Sequence, residues 1–493
     1  MWHMLLQISY GVGCYLGALT LYRLFFHPLQ KYPGPLLAAL TEGYEAYYNI
    51  VQFGGLVDEL VRLHEIYGPV IRIGPNKLHF KDRRAFHDIY TNGSSMLKDP
   101  AFYHGLIAHA PDSSVYFCDS KQSKDRRALL APLFSRRAVD KLLHILEERH
   151  NSPSTSIPMS VSYHSLTTDL ITSYCFAEST NTLDIPNFSH PLLEGVQEVV
   201  KGLWVQRYFP FINRLAMGLP KSMLLRLLPE FKGFVEMQEG FSTKITELRK
   251  EFPEGFNKVD HETVYHHLIE PKNQARPTMK SLVSEAFTLV IAGSDTVAHA
   301  CTLGTFYVLK EAHIRRKLTE ELEEAWPDKG TPMSYAKLEK LPYLSAVIKE
   351  TLRFSIGVVH PLPRIIGNET PAIAGLKLPP GTIVGMSALF LHMNPDVFED
   401  PFTFNPDRWL AEDTAEMIHD LAPFSKGPRM CIGFGLAWCE LYLIFANIFR
   451  KLDLSLVHGD EVDDFRWSTE HRDYYTPHWK TSYRAFVNEK VRE

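Results

Sequence analysis

Apolar positions recur with a period near 3.6 along most of this chain. The clearest runs predict helices over 123–138, 166–176, 280–309, 311–325, 343–354 and 436–449. Extended patterns are few. Two short apolar segments, 70–73 and 77–80, flank Gly74-Pro75-Asn76 and read as two strands about a turn. A second such region spans 372–386, with turns at Gly375 and at Pro379-Pro380-Gly381. Residues 151–158 read as a polar loop and 252–278 as a long polar connection. Strands so few and so far apart predict a mainly α fold with small β-sheets, not alternating βαβ units. No fixed period repeats, which excludes a solenoid.

The first stretch has another pattern. Residues 1–22 contain no Lys, Arg, Asp or Glu, and 4–22 are mostly apolar. At a rise of about 1.5 Å per residue such a helix reaches roughly 28 Å, close to the hydrocarbon thickness of a bilayer. Arg23, His27 and Lys31 follow it, and no Lys or Arg precedes it. That bias places the body of the protein in the cytosol. A cleaved signal peptide usually begins with a basic segment, which this chain lacks. The competing reading is a buried N-terminal helix. Tyr32-Pro33-Gly34-Pro35 then fixes an extended path. The expected organisation is an anchor over 1–22, a basic, proline-marked hinge over 23–35, and one catalytic domain over 36–493.

Composition narrows the function. Of 493 residues, 45% are apolar and 22% charged, as in a globular protein. Lys and Arg number 52 against 57 Asp and Glu, which argues against a nucleic-acid partner. The 6 cysteines (Cys14, Cys118, Cys175, Cys301, Cys431 and Cys439) are too scattered for a disulfide framework. No CxxC pair suggests structural zinc, and no GxGxxG or Walker sequence suggests a nucleotide site.

The most informative stretch is Phe424-Ser425-Lys426-Gly427-Pro428-Arg429-Met430-Cys431-Ile432-Gly433. Glycines let the backbone turn tightly around the sulfur. The helix start that follows, and Arg429 nearby, favour a thiolate. Such a sulfur serves as a nucleophile or as an axial ligand to haem iron. The nucleophile reading needs a partner base, and none of the 22 histidines is placed by spacing. Cys439 lies within the following helix and has no glycine frame.

Two other groupings stand out. Ala292-Gly293-Ser294-Asp295-Thr296 interrupts the apolar stretch 286–297 with an acid, an alcohol and a glycine. Each is unfavourable inside a helix unless it has a task, and an acid–alcohol pair can relay protons. The competing reading is a kinked core helix with a satisfied Asp. Glu350 and Arg353 share a helix face, and Arg408 lies in a proline-marked loop. In isolation, Glu350 and Arg353 read as a surface pair.

Together these segments resemble the cytochrome P-450 monooxygenases, in the family's order and spacing from the N-terminal segment to about residue 450. Phe424, Gly427, Arg429, Cys431 and Gly433 match every fixed position of the family's FxxGxRxCxG loop. The resemblance makes Cys431 the axial thiolate to heme b. Phe424 packs on the ligand side of the ring, Gly433 completes the loop, and Arg429 pairs with a haem propionate. Arg364, in a PLPR-like stretch, and Arg127, on a helix where Ser123 replaces the usual Trp or His, are implied as further propionate contacts. Asp295 and Thr296 match the distal acid–alcohol pair, with Val297 replacing the usual second hydroxyl. Glu350, Arg353 and Arg408 match the buried structural triad, with Asp407 in place of the usual Glu.

The resemblance implies the cytochrome P-450 fold. It further implies an NADPH- and O2-dependent monooxygenase acting on an apolar small molecule. Electrons would come from a separate flavoprotein, an NADPH-cytochrome reductase, with cytochrome b5 as a second donor. Phe287, Ile291, Ala292, Val358 and Val359 are the expected pocket walls, the 98–117 loop a lid, and 474–477 a last wall. The entry segment resembles fungal microsomal members of secondary metabolism, including terpenoid-oxidising ones. This implies a single pass of the endoplasmic reticulum membrane with a cytosolic catalytic domain. The alternatives are a haem-thiolate isomerase or dehydratase, another substrate class such as a polyketide or alkaloid, a tethered haem sensor, and a haem-free cysteine hydrolase.

Overall fold

The computed structural model describes residues 1–91, 96–106, 110, 112–130, 156–185, 188, 190–229, 232–251, 263–271, 275–457, 471–479 and 483–489. Its organising element is the 32-residue helix Met279–Lys310, most of which is buried. Thr278 caps its start, the side chain accepting from Ser281 N at 3.1 Å. Around it pack Met159–Phe176, Lys232–Glu251, Pro342–Ser355 and Phe434–Lys451. Two glycines permit that approach. A Cβ on Gly293 would lie 2.6 Å from Ile171 Cγ1, and one on Gly304 would lie 2.4 Å from Thr351 Oγ1. The main apolar core fills the space between these helices.

Beside this bundle lies a five-stranded sheet, in the order Val70–Gly74, Lys77–Phe80, Ile383–Gly385, Arg364–Ile366, Met96–Lys98. Only the Lys77–Phe80 and Ile383–Gly385 pairing is parallel. A second apolar cluster forms against it, with Ile71, Leu78, Phe80 and Val384 contributed by the strands. A three-stranded sheet joins Ser156–Pro158, Arg484–Glu489 and Leu452–Leu456. A hairpin pairs His471–Tyr474 with Thr476–Trp479.

The helical expectations hold with shifted ends: Ser120–Leu130, Met159–Phe176, Met279–Lys310, Ala312–Ala325, Pro342–Ser355 and Phe434–Lys451. The part of the first predicted helix over 131–138 lies outside the described residues. Two expectations need correction. The end of the 151–158 segment is the strand Ser156–Pro158, recruited by pairing with Arg484–Glu489 more than 300 residues away. The 252–278 connection contains the helix Val264–Ile269, capped by Thr263 and His266; 252–262 and 272–274 lie outside the described residues. Helix Leu56–Tyr67 was missed although Leu56, Val57, Leu60 and Leu63 bury one face at helical spacing.

At the N-terminus, helix Trp2–Leu21 continues through a wider turn over Tyr22–Phe26, giving 25 residues with none buried. The segment expected as a hinge is bonded to the body. Arg72 Nη1 donates to Arg23 O at 2.9 Å and Arg72 N to Pro33 O at 2.7 Å. Gly34 lies so close to this strand that a Cβ would sit 2.2 Å from Arg72 O.

Candidate active site

The cysteine loop is built by its own backbone. Cys431 N donates to Phe424 O at 2.8 Å, closing the loop on itself. A tight turn over Gly427–Arg429 lies inside it, with Met430 N bonded to Gly427 O at 3.0 Å. Gly427 has φ +69°, and a Cβ there would meet Tyr90 O at 2.3 Å, so position 427 accepts no side chain. Gly433 caps helix Phe434–Lys451, and Phe424 packs near Trp438 with ring centroids 6.2 Å apart. Cys431 is accessible, whereas Cys439 is fully buried in the core. Although solvent can reach the side chain, the protein crowded around it pushes the Cys431 thiol pKa up by desolvation, opposed by the Gly433 backbone N–H and the Arg127 charge.

Four cations gather on this side of the molecule. Arg127 donates to Met430 O at 2.9 Å. Arg429 donates to Phe117 O at 3.1 Å and to Cys118 O and Asp119 O at 3.3 Å. Arg364 is buried and donates to Tyr103 Oη at 2.8 Å. Lys98 is also buried; its Nζ donates to Val115 O and lies 4.4 Å over the Tyr103 ring. Burial, followed by the charges of Arg364, Arg429 and Arg127, holds the Lys98 pKa well below its usual value. Among the described residues none of the four forms an ion pair with a carboxylate. Buried cations are costly without a counter-charge. A dianion seated beside a cysteine is the group this set suits, and haem with its two propionates fits. Sequence reading named Arg127, Arg364 and Arg429 but missed Lys98, which belongs to the set only because its strand pairs with that of Arg364. Ser123 adds no contact to the set: its hydroxyl is buried without a hydrogen-bond partner among the described residues.

Helix Met279–Lys310 holds the acid and the alcohol. Thr296 Oγ1 donates back to Ala292 O at 2.9 Å, one turn earlier in an uninterrupted helix, so the expected local opening is not seen. Asp295 turns elsewhere. Its Oδ1 lies 3.1 Å from His164 Nε2, its Oδ2 accepts from Thr476 Oγ1 at 2.9 Å, and His478 Nε2 lies 3.7 Å away. Burial raises the Asp295 pKa, but His478 and His164 outweigh it and the net shift is strongly downward. No hydrogen bond joins Asp295 to Thr296, so their expected partnership is not direct. Gly293 makes room for Ile171, not for a ligand.

Of the expected walls, Ala292 is exposed and Ile291, Thr296 and Val358 are half-buried, consistent with an internal space. Phe287 and Val359 are less open. Phe287 is buried in the core, 5.5 Å edge-to-face from Phe234, and Val359 is fully buried in the second core. Part of the expected lid is helix Pro100–Leu106, with Phe102, Tyr103 and Leu106 buried; 107–109 and 111 lie outside the described residues. At the hairpin tip Tyr475 has φ +79°, held by Val359 N donating to Tyr475 O at 3.0 Å.

The Glu350, Arg353 and Arg408 set is assembled and dry. Arg353 Nη2 donates to Glu350 Oε1 at 2.8 Å and Arg353 Nε to Oε2 at 3.0 Å. Arg408 Nε reaches Glu350 Oε1 at 3.2 Å, and Trp409 Nε1 donates to Oε2 at 2.9 Å. Asp407 points outward to Lys317 at 2.9 Å, which explains why the shorter acid is tolerated there.

Comparison with known proteins agrees with this geometry. The family model for cytochrome P-450 matches residues 41–469. A cytochrome P-450 monooxygenase of Botryotinia fuckeliana is 32% identical over 474 residues, covering 93% of this chain and 91% of the relative. Tryptophan 6-hydroxylase of Fusarium equiseti is 33% identical, covering 92% and 91%. Conidiogenone synthase of Penicillium rubens is 33% identical, covering 95% and 96%.

Proposed function

The chain belongs to the cytochrome P-450 family, and from that premise we propose that it inserts one oxygen atom from O2 into an apolar, terpenoid-like small molecule with electrons from NADPH. Its relatives are fungal monooxygenases, oxidoreductases that use O2. The electrons arrive through a separate NADPH-cytochrome reductase, with cytochrome b5 as a second donor.

The observation that carries the reading is the set Lys98, Arg127, Arg364 and Arg429, basic and without carboxylate partners among the described residues, on the side of Cys431. Cys431 holds the haem iron, and the four cations hold the propionates. Bound haem supplies the activation of dioxygen. The chain's own residues bind, orient and move protons. Apolar walls, including Ile291, Ala292 and Val358, exclude water and position the substrate. The Thr296 hydroxyl, anchored on Ala292 O, is placed to pass a proton through its Oγ1. Asp295, held by His164 and Thr476, sets the local charge behind it.

The protein is anchored in the endoplasmic reticulum membrane by the helix Trp2–Phe26, with the catalytic domain cytosolic. Exposed Leu36, Leu37, Val51, Phe53, Phe209 and Phe211 offer a second apolar contact with the same membrane. Asn49 Nδ2 donates to Tyr208 Oη at 2.9 Å and ties two of the segments that carry these residues together.

Titration of the ferric protein in the Soret region tests the reading. The panel holds cyclic sesquiterpenes and diterpenes, aromatic polyketides and an indole alkaloid. A terpene-induced shift, followed by an oxygenated product with NADPH and reductase, is the expected result. A shift with another class alone overturns the terpenoid assignment. A protein with no Soret band after haem reconstitution overturns the whole reading.

A further inference from the structure

A second cluster of ligating side chains lies outside the haem cradle. His87 is carried by helix Arg83–Thr91, and His419 and Asp420 end helix Ala415–Asp420. His87 Nε2 and His419 Nδ1 each lie 2.9 Å from the same oxygen, Asp420 Oδ1. Asp420 is wholly buried, whereas the His419 side chain is 60% exposed. The second carboxylate oxygen, Oδ2, is held by Arg83 Nε at 2.8 Å, and Arg83 Nη1 also meets Glu416 Oε2 at 3.2 Å. The three donor atoms lie within 4.8 Å of one another.

We propose that His87, His419 and Asp420 bind one divalent transition-metal ion of the zinc class, with water in the fourth position. Two imidazoles and one carboxylate form a donor set that such ions take readily, while Mg2+ and Ca2+ favour all-oxygen sites. Tetrahedral ligands at about 2.0–2.2 Å from an ion stand roughly 3.3–3.5 Å apart. The two contacts of 2.9 Å therefore need to widen by only a few tenths of an ångström. The histidine rings, with centroids 3.9 Å apart, must separate, and the exposed His419 side chain has room to swing. Arg83 is the outer partner of the ligating carboxylate: its Nε forms an ion pair with Oδ2, while Oδ1 faces the two histidines where the ion would sit. Arg83, His87 and His419 also line one surface groove, which gives the ion an entry path.

The ion would clamp two elements that frame the cysteine loop. Helix Arg83–Thr91 ends against Gly427, where Tyr90 O leaves no space for a side chain. The chain from Asp420 leads directly into that loop. Metal binding itself does not depend on the haem reading; only its effect on the loop does.

The test uses full-length, tag-free, haem-loaded protein stripped with a chelator and titrated with ZnCl2 by calorimetry. Thermal denaturation is followed in parallel. Saturable binding of one equivalent is expected, with a raised Tm that MgCl2 does not reproduce. His419→Ala removes an exposed ligand without emptying the core and is expected to weaken zinc binding at least about tenfold. Unchanged affinity in His419→Ala overturns the site, as does wild-type binding weaker than about 100 μM. If zinc binds as expected but haem loss is no slower, the clamp fails and the metal site stands.

Discussion

Lys98 and Arg364 stand directly opposite each other across the antiparallel strands Met96–Lys98 and Arg364–Ile366. Both are buried, and neither has a carboxylate partner among the described residues. Like charges facing each other across a strand pair destabilise it. On the proposed reading, an anion shared by both residues would relieve this.

Lys98→Met should therefore act with opposite sign on the two forms of the protein. The haem-free protein gains stability, because a buried amine whose charged form is disfavoured by burial and by Arg364 is replaced by an apolar side chain. The haem-loaded protein loses a charged hydrogen bond of about 1.5–3 kcal/mol, so haem leaves roughly ten- to a hundredfold faster. Thermal denaturation of the free form and haem transfer to an acceptor globin measure the two arms. Equal effects on both forms would remove Lys98 from the propionate set.

Glu350→Ala should destabilise the fold strongly. It leaves Arg353 and Arg408 in a dry site without their counter-charge, a cost of about 3–5 kcal/mol. Asp407→Ala, which removes only an exposed partner of Lys317, should cost less than about 1 kcal/mol. Urea unfolding midpoints of the two variants check the contrast.

Thr296→Ala should lower product formed per NADPH oxidised several-fold, whereas Thr296→Ser retains the hydroxyl and most of the coupling. Parallel assays of NADPH loss and product yield decide it. Unchanged stoichiometry in the Ala variant would end the proton-passing role.

The pair of His164 and Asp295 gives stability a pH signature. His164 Nδ1 faces Ser160 O at 2.8 Å while Nε2 faces Asp295, so both ring nitrogens meet acceptors and the imidazolium is favoured. Burial lowers its pKa, but the Asp295 carboxylate outweighs this and the net shift is upward. Its contribution is complete below the ordinary value of 6.5 and is lost as pH rises through the raised folded value. Asp295, shifted down, contributes above 3.8 and loses its contribution as pH falls through its folded value. The Tm difference between wild type and His164→Gln should be largest between pH 3.8 and 6.5 and shrink above neutrality. A difference flat with pH would mean that His164 is neutral.

Most of the long helices were legible in the chain because their apolar period is a local property that burial against any partner reinforces. The cysteine loop was legible for a related reason. Gly427 has to meet Tyr90 O, so the glycine is written into the sequence even though its neighbour is distant. The triad was half-legible: spacing put Glu350 and Arg353 on one face, but only packing buried them and added Arg408 and Trp409.

By itself the sequence determined the helical body, the apolar N-terminal helix, and the local settings of Cys431 and Thr296. Tertiary structure decided the rest, where residues far apart in the chain share one charge environment. Lys98 joined the cations through strand pairing with Arg364, and Asp295 was turned toward His164 and Thr476 by packing of Met159–Phe176 and the terminal hairpin. Phe287 packs edge-to-face on Phe234, a neighbour that only tertiary packing supplies. Periodicity records which face of an element is apolar; which neighbour covers that face is settled only when distant elements pack together.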